Sequence, residues 1–433
     1  MLLSSDALAA RLSGAGLLVL YPGYLFYHTL VALGLIPAFL GGMFGLMTVL
    51  LAALYLPLLP YLQRDLLSLV PGYALGVIGL LGFVLVWSGA GYLVEGGTAM
   101  RVAAIQSVET VVLWLVLFLL AYRLPLEARW LVGGMWLAFA ITVIYLAVFA
   151  ATTGQVMFVA RGLGESTEEV STYQGYARSA LVMLVFLIAV SRSALARAAV
   201  IGLGSFVMFL LGARSELYGF LLLAMGLLML WSGMSARYLL ILLAVLGLGV
   251  ATVVSQFEAI AESRQFQVLD LAGDSSWQAR QQLERAAVEQ LLAHPLIGEF
   301  AGHVSASGGS GGYAHNVLSA WVNYGLPGFV LYLGLTLTAL AGATYRMVLC
   351  RDLSACWVFA FALNAVCLLL MLIAKPVFWP LPALGWGSFA NALVRSRRPL
   401  DHDDAHVPAG CDETSQGRDN HESGTPDLRP SAP

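Results

Sequence analysis

Phe329-Val330-Leu331-Tyr332-Leu333-Gly334-Leu335-Thr336-Leu337-Thr338-Ala339-Leu340, continued through Ala341 to Leu349, is a run of 21 residues whose only charge is Arg346 near its end. A helix of that length crosses the roughly 30 Å hydrocarbon core of a bilayer unaided. The shorter stretch from Ala314 to Tyr324 is therefore expected to lie at the membrane interface, with Gly325-Leu326-Pro327-Gly328 separating the two. At about 100° per residue, His315, Asn316, Ser319 and Asn323 share one arc of such a helix, and Val317, Leu318, Trp321, Val322 and Tyr324 share the other. The expectation is a titratable imidazole heading a polar stripe on a lipid-anchored helix. It reads either as a reacting group or as a hydrogen-bonding residue of a polar interface helix.

Composition sets the class: of 433 residues, 59% are hydrophobic and 11% charged, with a mean hydropathy of +0.82. That describes an integral membrane protein and excludes a soluble enzyme. The apolar runs predict twelve spans, near 14–36, 38–61, 69–88, 103–122, 130–150, 175–190, 198–213, 216–231, 238–256, 328–349, 355–373 and 378–394. The expected fold is thus an all-α polytopic membrane protein with about twelve transmembrane helices and a large helical extracytoplasmic loop, 256–315, between the ninth and tenth. A transmembrane domain over 1–398 gives way to a polar tail, 399–433, of disordered composition.

Arginine sets the orientation. With the N-terminus inside, Arg11, Arg64, Arg123, Arg129, Arg192, Arg197, Arg237, Arg346, Arg351, Arg395, Arg397 and Arg398 all fall on the cytoplasmic side, as do both termini. Arg101, Arg161, Arg178, Arg214, Arg264, Arg280, Arg285 and Lys375, the sole lysine, face outward against that bias. Each outward cation reads as an anion ligand or as half of an ordinary salt bridge. The first span lacks a strongly basic leader and a small-residue cleavage site and reads as retained.

Two outer loops have room for a site, Ala151 to Gln174 and Gln256 to Gly312. In the second, Ser276 to Ala293 predicts a helix with Ser276 as N-cap and Leu283, Ala287, Val288, Leu291 and Leu292 as its apolar face, ended by His294-Pro295. Ser305 to Gly312 reads as a flexible hinge, either lid or linker. Its glycines follow no strand and precede no Lys-Ser/Thr, so they form no nucleotide loop. A net charge of −3 with dispersed arginines gives no support for nucleic-acid binding. No cysteine lies in an outer loop, so no disulfide or zinc framework is implied, and Asp401-His402-Asp403-Asp404 reads as a solvated acidic run. No metal or cofactor is expected. Glu109, a turn or two inside its span with Gln106 and Arg101 nearby, reads as a substrate contact or a helix-pairing group.

Three stretches together resemble the O-antigen ligase and O-antigen polymerase superfamily of bacterial envelope glycosyltransferases. His315-Asn316-x-Leu318 followed by Gly325-x-x-Gly328 looks like the family's His-Asn-x-x-Leu and Gly-x-x-Gly signature before a late span. Leu211-Gly212-Ala213-Arg214-Ser215 is similar to its Ser-Arg turn between two spans. Arg280, fifteen residues before Pro295 in a stretch ending His294-Pro295-Leu296-Ile297-Gly298, matches the Arg, helix, Pro-Leu-x-Gly pattern of its large outer loop. The likeness covers roughly Ala151 to Leu349. Ala213, Glu216 and Glu299 depart from the pattern, and Glu216 could neutralise Arg214 or stabilise the first turn of its helix.

The resemblance implies transfer of a glycan from undecaprenyl diphosphate to a sugar hydroxyl on the outer, periplasmic face of the bacterial inner membrane, without nucleotide. Such chemistry needs permanent cations on the leaving diphosphate and a base for the acceptor proton. By the likeness, Arg214 and Arg280 hold the diphosphate and His315 is the base, with Glu299 as the alternative base. Arg264, Arg178, Arg161, Asn316 and Tyr313 are further substrate ligands, Tyr173, Tyr176 and Tyr313 being either sugar platforms or membrane anchors. The acceptor is a saccharide for a polymerase of O-antigen or exopolysaccharide repeats, or lipid A-core for a ligase. A chain-length regulator and a flippase are the partners that the family implies. A transporter or flippase is the reading from another class, but it would show repeat symmetry and mid-membrane breaks, which this sequence lacks.

Overall fold

The computed structural model describes residues 4–37, 43–154, 173–233, 235–241, 243, 244, 247, 275–307 and 311–397. Among the described residues, all regular structure is helical: α1 Ser5–Leu18, α2 Tyr24–Ala32, α3 Met43–Tyr55, α4 Leu59–Leu69, α5 Pro71–Glu95, α6 Gly97–Tyr122, α7 Arg129–Thr153, α8 Tyr173–Val190, α9 Ala194–Leu211, α10 Arg214–Ser232, α11 Ser275–Ala293, α12 Gly302–Ser307, α13 Leu318–Thr344, α14 Ala355–Ile373 and α15 Leu381–Arg397. Joined end to end where the chain continues helically, they give 10 described helices long and apolar enough to cross a membrane. The molecule is a multi-pass membrane protein on that ground. Of the twelve expected spans, one corresponds to α15, a shorter helix of 17 residues with Arg395 and Arg397 in its last turn. Another, 238–256, falls largely outside the described residues.

The first two spans are displaced from their expected limits, running Ser5–Val31 and Met43–Leu69. Ser4 explains the early start, because its hydroxyl accepts from Ala7 N–H at 3.3 Å and caps α1 before the apolar run begins. Pro22 does not end the first span; it sits inside a π-helical turn, Val19–Gly23, that absorbs its missing N–H.

Packing follows residue size. From Gly175 to Ala189 nearly every residue of α8 is buried, as is most of α15, whereas α5 exposes Val86, Leu93 and Val94 on one side. Small residues let the central helices touch. A Cβ on Gly387 would stand 2.2 Å from the Phe118 carbonyl oxygen, so α15 lies directly on α6. Asn391 then donates to the carbonyls of Ala121 (2.9 Å) and Leu124 (3.0 Å), and Arg395 donates to Leu124 O at 3.2 Å. At the same end Arg123 pairs with Asp6 at 2.9 Å and with Asp65, which also accepts from Tyr122 Oη at 2.8 Å. The arginines at 123, 395 and 397 thereby gather at one end of the bundle, opposite His315.

At the His315 end the connecting chain is held by a backbone crossing. Leu326 N–H donates to Leu296 O at 3.0 Å, Glu299 N–H donates to Val322 O at 2.7 Å, and Trp321 Nε1 donates to Pro295 O at 2.7 Å. Gly298 and Gly325 both have positive φ, +66° and +64°, and each faces the other strand's backbone. Gly325 breaks the helix between the interface segment and the span, as the sequence predicts.

Four expectations need correction. His315 and Asn316 precede α13, because Asn316 Oδ1 accepts from Leu318 N–H at 3.0 Å and the helix begins only there. The two arcs are not polar-out and lipid-in: Ser319, Asn323, Val322 and Tyr324 are all buried. On α11 the packed face runs through Leu283, Ala287 and Leu291, while Val288 and Leu292 are exposed, and the helix starts one residue before the expected cap. The hinge is helical at its start, Ser305 to Ser307 belonging to α12, and 308–310 lie outside the described residues. Cys356 and Cys367 are free thiols.

Gly298→Ala and Gly325→Ala each place a Cβ within 2.8 Å of facing backbone oxygens at positive φ. Each is expected to cost on the order of 2–4 kcal/mol. The thermal midpoint in detergent should fall by several degrees, while Gly226→Ala, which meets nothing within 4 Å, leaves it unchanged.

Candidate active site

Three segments far apart in sequence bring polar groups to His315. The first is its own loop, fixed at the start of α13, where Ser319 Oγ donates to Asn316 O at 2.8 Å and accepts from Val377 N–H at 2.7 Å. That second bond ties the His315 loop to the segment between α14 and α15, which carries Lys375 and Phe378. The third is α11, whose Glu284 accepts from Asn316 Nδ2 at 3.1 Å. Asn316 thus spends both ends of its amide on holding α11 and capping α13.

Around the imidazole the chain builds an aromatic wall. Tyr313 stands edge-on to His315 with ring centres 5.4 Å apart, and it also meets Phe378 at 5.3 Å and His303 at 5.9 Å. Burial pushes the Tyr313 hydroxyl above its ordinary pKa. His303, buried in α12, has Nε2 3.2 Å from Gln106 Oε1 of α6, so the small loop helix is clamped to the bundle. The sequence reading missed His303. It pointed to this part of α6 through Glu109, but Glu109 is exposed and Gln106 makes the contact.

Lys375, the sole lysine and one of the outward cations, forms the salt bridge that is one of its two readings. It is buried, ion-paired with fully buried Glu216 of α10, and donates to Gln174 Oε1 of α8 at 3.3 Å. Glu216 also accepts from Ser215 Oγ at 2.7 Å. Glu216 lies in the first turn of α10, which Arg214 opens.

The electrostatics at His315 follow from this gathering. Burial, then the charges of Arg280 and Lys375, push its imidazole from the ordinary 6.5 down to about 4. Near neutral pH the ring is uncharged and has a lone pair to offer. His303 is also lowered to about 4, by burial. Beside His315, under α11, a cavity of about 130 Å³ is lined by Gln282, Gln290, His303, Tyr313, Ser319 and Asn323 among others. Leu283, Ala286, Ala287, Ala314 and Val322 share the lining, so a mainly apolar wall carries a few amides and hydroxyls that can orient a ligand.

Not every expected residue joins the cluster. Arg178 lies over the Phe44 ring at 4.2 Å and the Tyr24 ring at 6.0 Å, one helical turn along α8 from Gln174. Tyr176 is buried against Tyr24 and His28. Glu299 rests against Gly302, where a Cβ would stand 2.8 Å from its carboxyl carbon. Arg161 and Arg264 lie outside the described residues. Compared with protein-family models and with curated proteins, the chain matches none.

Lys375→Met strands the Glu216 carboxylate in the interior and is expected to destabilise the protein by on the order of 3–5 kcal/mol. Adding Glu216→Gln should recover most of that, as a double-mutant cycle of thermal midpoints would read. In the range between about 6.5 and about 4, unfolded histidines bind protons that native His315 and His303 refuse. Stability contributed by these two groups is therefore complete above pH 6.5 and falls as pH drops toward 4. Denaturant titrations should show that slope flattened in the His303→Gln, His315→Gln variant.

Proposed function

We propose that the chain is a membrane glycosyltransferase that moves a glycan from undecaprenyl diphosphate to a sugar hydroxyl on the His315 face, most simply polymerising O-antigen or exopolysaccharide repeat units. One observation carries the reading: an imidazole kept neutral stands within the field of two fixed cations, Arg280 and Lys375. Inverting transfer from a lipid diphosphate needs both halves of that arrangement, together with the resemblance of the motifs on which they stand.

In this reading the acceptor oxygen attacks the anomeric carbon as the bond from that carbon to the diphosphate oxygen breaks. His315 takes the hydroxyl proton, and the electron pair of the broken bond stays with the leaving diphosphate. Arg280, Arg214 and Lys375 hold the negative charge that grows there. An imidazole lowered by two cations is a weak base while the site is empty of anion. A bound diphosphate offsets Arg280 and Lys375, so it restores proton affinity to His315 when the acceptor must be deprotonated. The cavity under α11 is well placed for the acceptor sugar. The proposed location is the bacterial inner membrane with this face toward the periplasm, which agrees with the arginines gathered at the opposite end.

The deciding experiment is complementation of polymerase-null and ligase-null strains, read as the glycan ladder on a gel. A restored ladder in the polymerase-null strain alone is the expected result; rescue of the ligase-null strain instead assigns lipid A-core as acceptor. His315→Ala should reduce transfer by about 10³-fold or more at normal membrane levels. Because fixed cations hold the leaving group, purified protein should transfer equally in excess EDTA. A normal ladder from His315→Ala, or activity that EDTA stops and Mg²⁺ restores, removes the roles given to these residues.

A further inference from the structure

The larger of the two principal cavities lies at the other end of the bundle, where α7, α9 and α14 begin. It has a volume of about 630 Å³, and its lining includes Arg129, Arg192, Arg197, Glu127 and Ser354. Since α13 starts beside His315 and its span runs on to Leu349, the start of α14 at Ala355 belongs to the opposite membrane face. The site is therefore separate from the proposed transfer chemistry and does not depend on it.

Three arginines and one carboxylate, that of exposed Glu127, are among the cavity's lining residues. Arg129 and Arg192 are exposed, and neither forms an ion pair with any described residue. Arg197 is different in kind. Only 8% of it is exposed; one of its nitrogens donates to Tyr238 Oη at 2.7 Å, and its plane lies over Trp231 at 4.3 Å. Its buried Nε has no described acceptor. A guanidinium buried on an aromatic face with a donor left over is costly to desolvate and is stabilised by an anion. The first turns of α7 and α14 add their unpaired N–H groups to the same wall, Arg129 and Ala355 being the first residues of those helices.

We propose that this cavity binds a phosphate group, and that the phosphate is the headgroup of an anionic membrane lipid. Size and charge argue for phosphate: three arginines against one carboxylate line a space that exceeds the needs of a bare ion and suits a glycerophosphate. The surroundings argue for lipid. Trp130 and Leu195, next in sequence to Arg129 and to the start of α9, are 47% and 80% exposed, and they provide an apolar margin along which acyl chains lie.

The test uses the full-length protein in a neutral detergent and follows its thermal midpoint as phosphatidylglycerol, phosphatidylcholine, glycerol phosphate or inorganic phosphate is added. Phosphatidylglycerol should stabilise the wild type saturably, and Arg129→Ala, Arg192→Ala should weaken that apparent affinity at least about tenfold. Both positions are exposed, so the variant's midpoint without lipid should match the wild type and certify its fold. Arg285→Ala, on exposed α11 at the other face, should respond as the wild type does. Equal response of wild type and double variant overturns the site. Equal stabilisation by inorganic phosphate and by phosphatidylglycerol overturns the lipid as its source, and equal stabilisation by phosphatidylcholine overturns the requirement for an anionic headgroup.

Discussion

Two peptide segments touch backbone to backbone where Leu296-Ile297-Gly298 passes over Trp321 to Leu326, and the His315 end of the molecule depends on that contact. Only glycine permits it on either side: both Gly298 and Gly325 have positive φ, and a side chain on either would run into the other's carbonyl oxygens. Hydrogen bonds in both directions then lock the approach. Because Gly298 ends the turn after α11 and Gly325 ends the first part of α13, the crossing fixes the loop helix and the His315 segment as one unit. Asn316 and Glu284 close the other side of that unit. The crossing thereby gives the His315 segment a rigid support.

Electrostatics gives the unit its chemical character. Buried carboxylates and ammonium groups are costly in a membrane protein, and here Glu216 and Lys375 pair with each other and join α10 to the segment before α15. The pair's net charge is zero, and Lys375, after burial and Arg280, is among the causes that lower the His315 imidazole. Burial, Arg280 and Lys375 act together to keep the histidine neutral near pH 7.

At the other end the same physical rules serve a different purpose. Arg123, Arg395 and Arg397 are used up on Asp6, Asp65 and the carbonyls that close α4 and α6, and they tie helix ends together. Arg129, Arg192 and Arg197 are arranged around space instead. The difference is visible only in their partners, since all six are alike in sequence position at the edge of an apolar run.

The sequence by itself determined what depends on local composition: the membrane class, the described spans to within several residues, the α11 helix, and the break at Gly325, whose neighbours Leu326 and Pro327 mark it. It also placed Arg280, Tyr313 and His315 in one neighbourhood through motif order. What it misread was periodicity carried one turn too far, since an Asx turn at Asn316 stops the helix before His315 and a local hydrogen bond outweighs an amphipathic pattern. Only the tertiary structure decided that Lys375 pairs with Glu216, that Gln106 rather than Glu109 meets the loop, and that Gly298 faces Gly325. Each of these joins residues tens to hundreds of positions apart, and hydropathy measures the environment a residue prefers but not which neighbour fills it. Close packing makes that choice, by admitting two backbones where glycines allow and excluding every alternative that would leave a charge unpaired in the interior.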